Sequence, residues 1–260
     1  MKTASPTTRS RTRSKTPSPA AATASRAQAP RRRSPEATAA AAERAPRRGY
    51  GGRSGAELMA ERRDRLLAAG MDLYATRGYA HTPIELLCAQ ARVTTRHFYE
   101  QFESREALLS ALYERIVSEL RDAVLRALQT PGLTPEQRIE QAIRALVESY
   151  VGDPRRARIG VLEAVGVSAG MERRRREVIH DFARVLEAYA GELARQGLVP
   201  VRDYHLISVA LVGGINELLA EWLTTEHPPG TAQLVEVISE LLRALLLGGR
   251  ALRGAPGAAA

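Results

Sequence analysis

The sequence contains a single cysteine and no long uninterrupted run of apolar residues. Cys88 cannot form an internal disulfide, and its place on the apolar face of a predicted helix indicates a small core residue rather than a redox sensor. The apolar run at 241–247 is broken by Arg243 and falls far short of the roughly 20 residues that a membrane-spanning helix needs. No apolar segment typical of a secretory signal is present near the start. These absences predict a cytoplasmic protein without a membrane span.

The sequence also lacks the motifs of the common catalytic and metal centres. The histidines are scattered, with no HExxH and no His/Cys cluster at metal-ligand spacing. There is no GxSxG, no Walker loop and no GxGxxG after a strand. We therefore expect no catalytic residue, no metal site and no cofactor, and an all-helical enzyme is the least favoured function.

The positive charge lies at one end of the chain. Residues 1–50 hold twelve Lys and Arg against two Glu, a net charge of +10, and the whole chain carries +9, so residues 51–260 carry about −1. Because almost no large apolar side chain precedes Tyr50, this segment cannot bury enough surface to offset its ordering entropy. We expect residues 1–53 to form a disordered basic tail. It is either a cationic arm that gathers DNA phosphates, or it is a solvated extension or an upstream misread of the start.

Residues 82–102, TPIELLCAQARVTTRHFYEQF, are typical of two short helices joined by a tight turn. The first helix has a hydroxyl N-cap at Thr82, a proline at its first position and a capping-box carboxylate at Glu85. Thr94 can cap the second helix, whose aromatic residues Phe98 and Phe102 share an inward face. The pattern predicts a helix-turn-helix whose second helix is short and has an exposed polar face.

Start and stop signals for helices continue along the chain. Ser104 and Thr134 are hydroxyl caps, and Gly78, Gly152 and Gly197 are typical helix stops. No strand-period alternation of any length occurs. The expected helices cover about 56–76, 82–91, 94–102, 104–128, 134–152, 153–166, 171–195, 203–225 and 231–247. We predict an all-α chain of about nine helices, in which a three-helix helix-turn-helix head precedes a helical-bundle body.

Residues 62–116 resemble the DNA-binding head of the tetracycline-repressor (TetR) family of bacterial transcriptional regulators. The matching features are Arg77-Gly78-Tyr79 after the first helix, Thr82, Val93-Thr94, Phe98-Tyr99, Phe102 and the segment SREALL at 104–109. Two departures are visible: Arg92 stands where the family usually turns on glycine, and Gly70 where the first helix usually has alanine. A strained turn follows if position 92 has φ > 0, and Gly70 costs the helix about 1 kcal/mol.

The resemblance implies base or groove contacts from the start of the recognition helix and phosphate contacts nearby. An arginine can bridge guanine O6 and N7, a threonine can reach a polar base edge or a thymine methyl, and helix N-termini can present N–H groups to phosphate. The candidate DNA-binding residues are Thr82, Thr94, Thr95, Arg96, His97, Tyr99 and Arg105.

The resemblance also implies a division of the chain and a small-molecule cavity in the body. Residues 54–102 would bind DNA, residues 103–248 would bind the ligand and dimerise, and residues 249–260 would be a flexible tail. The candidate cavity residues are Leu112, Ile116, Tyr150, Leu162, Phe182, Tyr189 and Trp222, each of which is equally consistent with plain core.

The segment VGGINELLAEW resembles the family's dimerisation helix. Apolar residues on the last two helices exceed what packing against the body needs, and Gly213-Gly214 would allow close helix approach. The candidate dimerisation residues are Leu211, Gly214, Ile215, Leu218, Trp222, Val237 and Leu241. A two-fold four-helix bundle would space two recognition helices by about 34 Å or a multiple on a pseudo-palindromic site.

Three polar features stand in the apolar or helical parts of the body. Glu163 and Asn216 each interrupt an apolar stretch, and we interpret them as an exposed glutamate and an interface asparagine rather than ligand contacts. The arginine run 173–176 is interpreted as solvated surface, because consecutive residues circle a helix and cannot form one patch.

The sequence therefore predicts a homodimeric, ligand-responsive transcriptional repressor without catalytic activity. Its partners would be double-stranded DNA and a small-molecule effector. The alternative is a constitutive DNA-architectural protein, in which the basic tail dominates and the body only dimerises.

Overall fold

The computed structural model describes residues 54–247, and every element in this range is helical. The predicted disordered tail 1–53 and the predicted flexible tail 249–260 lie outside the described residues. The helices are α1 (Gly55–Arg77), α2 (Ile84–Ala91), α3 (Thr95–Tyr99), α4 (Arg105–Leu128), α5 (Pro135–Val151), α6 (Pro154–Ala157), α7 (Ala169–Arg195), α8 (His205–Thr224) and α9 (Thr231–Leu247), with a π-helix (Arg158–Glu163) after α6. The predicted all-α class with about nine helices is confirmed for this range.

The head consists of α1, α2 and α3 around a shared apolar core. α1 begins at a capping box that was not predicted, in which the Ser54 hydroxyl accepts from the Glu57 amide and the Glu57 carboxylate accepts from the Ser54 amide. Phe98 and Phe102 are buried in this core, as their spacing predicted. Cys88 is buried there too, and burial raises the pKa of its thiol, which fits a core residue.

Two turns of the head hold backbone conformations that side chains disfavour. α1 ends at Gly78 with φ 83° and ψ 155°, a region that is essentially restricted to glycine. α2 ends at Arg92 with φ 53° and ψ 47°, and Arg92 is the one non-glycine residue with positive φ in the described range. The predicted strain at Arg92 is therefore present.

The predicted capping box at the start of α2 is wrong. The N-cap of α2 is Pro83, and no side chain caps this helix. Thr82 is fully buried, and its hydroxyl donates to the Gly78 carbonyl oxygen at 2.8 Å. The carbonyls at the end of α1 need donors, and this local bond takes the Thr82 hydroxyl away from the helix start.

Gly70 lies where α1 packs closely on α4. A Cβ at this position would stand 2.4 Å from Leu108 Cδ2 and 3.0 Å from Leu112 Cδ1, both on buried side chains. Gly70 lowers the helix propensity of α1, but it allows α1 and α4 to pack more closely than a residue with a Cβ would.

α4 runs from the head into the body and buries one continuous apolar face. Ser104 caps it, as predicted, by accepting from the Ala107 amide at 3.1 Å. The apolar residues that recur every four positions along it are all buried, namely Leu108, Leu112, Ile116, Leu120 and Val124. α5 packs along α4 and begins at the predicted cap Thr134, which forms a capping box with Gln137. α4 therefore joins the head to the body, and α6 and the π-helix also contact α1.

The region predicted as one helix at 153–166 is divided. Asp153 caps the single turn of α6, the π-helix follows, and a turn through Gly166 leads to α7. α7 begins two residues earlier than predicted, because Ser168 accepts from the Met171 amide and caps it. π-Helices are rare and are frequent at functional sites.

The far end of the body is a second apolar core among α5, α7, α8 and α9. α8 is long and apolar enough to cross a membrane by length and composition alone, with a mean hydropathy of 1.5, but only 17% of that stretch is buried within one chain. One such helix is weak evidence for a span.

Candidate functional site

α3 presents a hydrogen-bonding face to solvent while its opposite face is fixed in the core. Thr95, Arg96 and Tyr99 are exposed, and Phe98 between them is fully buried. The Arg96 guanidinium donates to Glu100 Oε1 at 3.1 Å, and 87% of its side chain is exposed. Exposed pairs of this kind contribute little stability, so Arg96 can exchange Glu100 for another acceptor at small cost.

Thr94 and His97 hold the start of α3. The Thr94 hydroxyl accepts from the His97 amide at 3.2 Å, which confirms the predicted N-cap, and the same oxygen lies 3.0 Å from His97 Nδ1. The Thr94 hydroxyl is therefore occupied within the helix. Of the predicted group at the start of α3, Arg96 is the more available side chain, because the Thr95 hydroxyl interacts with the Cys88 thiol.

Arg105, predicted to contact phosphate, is half-buried and bonded within the head. Its guanidinium donates to the carbonyl oxygens of Tyr79 at 3.2 Å and Thr82 at 2.8 Å, and lies 4.9 Å from the centre of the Tyr79 ring. The connection between α1 and α2 offers carbonyl acceptors beside the first turn of α4, and these bind the arginine. Arg105 thus ties α4 to that connection.

The uncapped start of α2 leaves backbone donors at the surface of the head. No side chain accepts from its first turn, and the amides of Ile84 and Glu85 have no acceptor among the described residues. Unpaired amides at a helix N-terminus are well suited to bind an anion such as phosphate.

Glu163, at the end of the π-helix, joins the body to the head. Its Oε2 accepts from the Tyr79 amide at 2.8 Å, and its Oε1 accepts from Arg158 Nε at 3.1 Å. Only 14% of its side chain is exposed, so the interpretation of Glu163 as an exposed glutamate is wrong. Gly78 makes room for it, because a Cβ there would lie 3.3 Å from Glu163 Oε2.

A second link joins α6 to α1 close by. Arg155 Nη1 lies 2.5 Å from Asp72 Oδ1, and the same guanidinium donates to Asp153, the cap of α6. The segment that contains α6 and the π-helix therefore contacts the head through charged side chains at two places. Because Asp72 and Arg155 are 83 residues apart, no local sequence pattern predicts that they pair.

The body contains a cavity of about 150 Å³ between α4, α5, α7, α8 and α9. Its walls are mainly aliphatic and aromatic. Of the predicted cavity residues, Tyr150, Phe182 and Tyr189 line it. The other four do not line it. Leu112 and Ile116 are buried in the apolar core that also contains Phe98, and Leu162 packs against that core. The Trp222 indole donates to the Pro229 carbonyl at 3.1 Å. Asn216, interpreted as an interface residue, is part of the cavity wall.

Polar groups in the cavity wall are few. Tyr113 and Tyr150 are both buried, and neither hydroxyl forms a hydrogen bond among the described residues. Burial raises the pKa of Tyr113 to about 12, although the neighbouring Arg175 and Arg174 lower it. Burial also raises the pKa of Tyr150, and Tyr113 adds to this increase, so the two phenols lie near each other.

The arginine run 173–176 divides between the surface and the interior. Arg173 and Arg176 are exposed, as the solvated interpretation expected. Arg174 forms two hydrogen bonds to the Glu114 carboxylate on α4, at 2.5 and 2.9 Å. Arg175 lines the cavity with 17% of its side chain exposed. The solvated interpretation is therefore wrong for Arg174 and Arg175.

An apolar stripe on α8 and α9 faces solvent in the single chain. We define the α8–α9 surface as Leu206, Ala210, Gly214, Val237 and Leu241, all exposed. A Cβ added to Gly214 would meet nothing within 4 Å. Among the other predicted dimerisation residues, Leu211 is buried, Ile215 lines the cavity, and Leu218 and Trp222 are half-buried.

Within residues 54–247, no group of three or more His, Cys, Asp or Glu side chains could hold a metal ion. The described residues combine an exposed face on α3, an α2 without a side-chain N-cap, and a cavity in a helical body that contacts the head. These features define a helix-turn-helix DNA-binding protein with a helical body.

Comparisons with known proteins agree with this class. Residues 66–112 match the family described as "Bacterial regulatory proteins, tetR family", and residues 132–246 match "Tetracyclin repressor-like, C-terminal domain". Together these matches cover more than half of the chain. The chain belongs to the TetR family of transcriptional regulators, which bind DNA.

Individual relatives are distant. The chain is 27% identical to the HTH-type transcriptional repressor DhaR of Mycobacterium sp. (strain GP1) over 90 residues, 35% of this chain and 46% of DhaR. It is 30% identical to the HTH-type transcriptional regulator TcmR of Streptomyces glaucescens over 140 residues, 51% of this chain and 57% of TcmR. The match thus spans about half the length of each relative.

The fold is shared with solved structures of the family. AibR, solved in complex with isovaleryl coenzyme A and operator DNA, aligns with a TM-score of 0.56 and 18% identity over 69% of this chain and 97% of AibR. At this identity the likeness shows the fold alone.

Proposed function

We propose that this protein is a sequence-specific transcriptional repressor that reads DNA with α3. The observation that carries the proposal is the exposed face of α3, with Thr95, Arg96 and Tyr99 presented by a helix that Phe98 anchors in the core. Arg96 has the reach and donor geometry to bridge O6 and N7 of a guanine in the major groove. Thr95 beside it can contact a base edge or a thymine methyl.

The phosphate contacts in this proposal come from two places that flank α3. The unpaired amides of Ile84 and Glu85 at the start of α2 can receive one phosphate oxygen, and the exposed Tyr99 hydroxyl can donate to another. Such contacts set the position of the protein on the duplex, whereas Arg96 and Thr95 supply the sequence preference.

The proposed regulator is a homodimer formed through the α8–α9 surface. A single five-residue α3 reaches only a few base pairs, so specificity needs two copies held at a fixed spacing. The α8–α9 surface is apolar and exposed, and Gly214 lets a second backbone approach closely. Burial of this stripe against its copy would also account for the high hydropathy of α8.

We further propose that a small molecule in the cavity controls DNA binding in the cytoplasm, without catalysis. The cavity lies in the body, and the π-helix that contributes Gly160 to its wall also carries Glu163, which holds the Tyr79 amide of the head. A ligand that displaces this segment changes the support of the helix-turn-helix. The cavity favours this function over a constitutive architectural protein, whose body needs no internal site.

Selection of bound fragments from random DNA by the purified full-length protein tests the proposal. We expect enrichment of a pseudo-palindrome whose half-sites are separated by a full helical turn or a multiple of one. Retention of fragments without a common motif, with affinity set by salt alone, would instead favour the architectural alternative.

A further inference from the structure

The polar groups of the cavity wall gather at one place. Buried Tyr113 on α4 and Arg175 on α7 both line the cavity, and the Arg175 charge acts on the Tyr113 phenol. Tyr150 on α5 lies near Tyr113, and its hydroxyl occupies space that Gly160 leaves open, 3.3 Å from the position of a Cβ on that glycine. The helices α4, α5 and α7, together with the π-helix, thus bring the Arg175 guanidinium and the phenols of Tyr113 and Tyr150 to the same part of the cavity wall.

These groups have unused hydrogen-bonding capacity. The Arg175 guanidinium forms one hydrogen bond among the described residues, to Glu172 Oε2 at 3.2 Å, and a guanidinium has several further N–H donors. The hydroxyls of Tyr113 and Tyr150 have no acceptor in the described range. Neither hydroxyl is among the fully enclosed unpaired polar atoms of the described residues, so both keep some accessible surface and can donate to a group that enters the cavity.

The rest of the wall offers no second charge. Arg175 is the one charged side chain among the residues that line the cavity, and the other polar members beside the two phenols are Asn216 and Tyr189. The Tyr189 hydroxyl is already used, since it donates to the Pro135 carbonyl at 3.0 Å. Glu172, outside the wall, forms an ion pair with Arg175 at 3.2 Å, so an anionic ligand would share the guanidinium with this carboxylate. The cavity matches a molecule with an apolar body and a single anionic end.

We propose that the effector is a hydrocarbon-rich monoanion whose carboxylate binds Arg175 and the hydroxyls of Tyr113 and Tyr150. The apolar part of the molecule lies against the aliphatic and aromatic side chains of α5, α7 and α8. This inference rests on the proposed ligand-responsive function, but it concerns the cavity alone and can be tested without DNA.

The test measures binding of straight-chain carboxylates from hexanoate to dodecanoate to the full-length protein by calorimetry. The matching primary alcohols carry the same hydrocarbon without the charge, and the matching alkyl phosphates distinguish a carboxylate from a phosphate head group. We expect at least one carboxylate to bind about tenfold more tightly than its alcohol, as one charge-assisted contact would give. We expect the phosphate of that length to bind more weakly than the carboxylate.

Two variants locate the head group. Arg175→Gln is expected to weaken carboxylate binding about tenfold and to leave alcohol binding within about twofold. Arg176→Gln removes the same charge from an exposed neighbour and should change neither. Tyr113→Phe should weaken carboxylate binding about threefold, and because its hydroxyl makes no hydrogen bond in the described range, the melting temperature of the unliganded protein should not fall.

Several results would overturn the inference. These are equal affinity for alcohols and carboxylates, tighter binding of the phosphates, an unchanged carboxylate affinity in both Arg175→Gln and Tyr113→Phe, and no binding by any of the series. None of them bears on whether the protein selects a pseudo-palindromic DNA site, so a failure here is separate from a failure of the proposed function.

Discussion

Arg92 holds the turn between α2 and α3 in the left-handed conformation, with φ 53°. This conformation costs an L-residue about 1–2 kcal/mol, whereas glycine adopts it freely and loses about 0.5–1 kcal/mol through its more flexible unfolded state. We expect Arg92→Gly to raise the free energy of unfolding by about 0.5–1 kcal/mol. Urea denaturation of the purified protein measures this change.

Arg92→Ala is the matched control, since it removes the same side chain and keeps a Cβ in the strained conformation. It should not stabilise the protein. Equal stabilisation by both variants would show that the arginine side chain, and not the backbone, is the source of the strain.

Arg105 gives a second prediction for a single side chain. Its hydrogen bonds to the carbonyls of Tyr79 and Thr82 lie within the head, so Arg105→Ala should lower the free energy of unfolding by about 2 kcal/mol. Arg105→Lys should recover part of this loss, because an ammonium donates but cannot serve both carbonyls in the same fixed geometry.

A purely phosphate-contacting Arg105 would behave differently. Its removal would weaken binding to all DNA sequences and leave the stability of the free protein unchanged. Thermal denaturation without DNA therefore separates the two roles. An unaltered melting temperature for Arg105→Ala would contradict the structural role.

Among the elements, the π-helix has the clearest testable role. Glu163 at its end accepts from the Tyr79 amide, and no other acceptor for that amide is present in the described range. Glu163→Ala should speed hydrogen exchange of the Tyr79 amide about tenfold or more, because a bond to a carboxylate contributes about 1.5–3 kcal/mol. Amide exchange followed by NMR measures this directly.

Glu163→Gln is the matched control for this contact. It retains an acceptor oxygen of the same reach and removes the charge, so much of the protection of the Tyr79 amide should remain. If Glu163→Ala left the exchange rate of Tyr79 unchanged, the π-helix would not support the head through this bond.

The helices show which parts of the fold could be predicted from sequence. Their caps are local, because a hydroxyl at Thr94, Ser104 or Thr134 bonds to an amide only three residues away. Ser54 and Glu57 show the same capping pattern at the start of α1, so this cap was equally predictable from the sequence. At Thr82 the pattern failed, because the Gly78 carbonyl competed for the hydroxyl.

The candidate site was harder to predict where it depends on contacts distant in sequence. The exposed face of α3 followed from helical spacing around Phe98. In contrast, Glu163 bonds to Tyr79, 84 residues away, and Arg105 bonds to Thr82, 23 residues away. The local sequence around Glu163 and Arg105 does not indicate these partners. Arg175 was indistinguishable from its neighbours until the position of α7 against the cavity was known.

For the whole molecule, the proposed dimer depends on the α8–α9 surface. Leu241→Arg places a charge on an exposed apolar site, so the single chain should stay folded while the two-fold contact is lost. Gly214→Leu should have the same effect by holding the second backbone away. Sedimentation should show monomers for both variants, with unchanged helical circular dichroism.

Val165→Arg is the control, because Val165 is also an exposed apolar residue but lies in the turn after the π-helix. It should remain dimeric. Intact dimers for both Leu241→Arg and Gly214→Leu would place the interface elsewhere on the body.

The central claim is that α3 reads bases, and Arg96→Ala tests it most directly. The measurement is the affinity of wild type and variant for the selected site and for a shuffled duplex at one salt concentration. Arg115→Ala is the matched control, since Arg115 forms the same type of exposed pair, Nε to Glu119 Oε1 at 2.9 Å, on α4. It should change neither affinity.

We predict that Arg96→Ala costs about 1–3 kcal/mol on the selected site, much less on the shuffled duplex, and relaxes the preference at one symmetric pair of positions. An equal loss of affinity on both duplexes would show that Arg96 contacts only the backbone and would contradict the account.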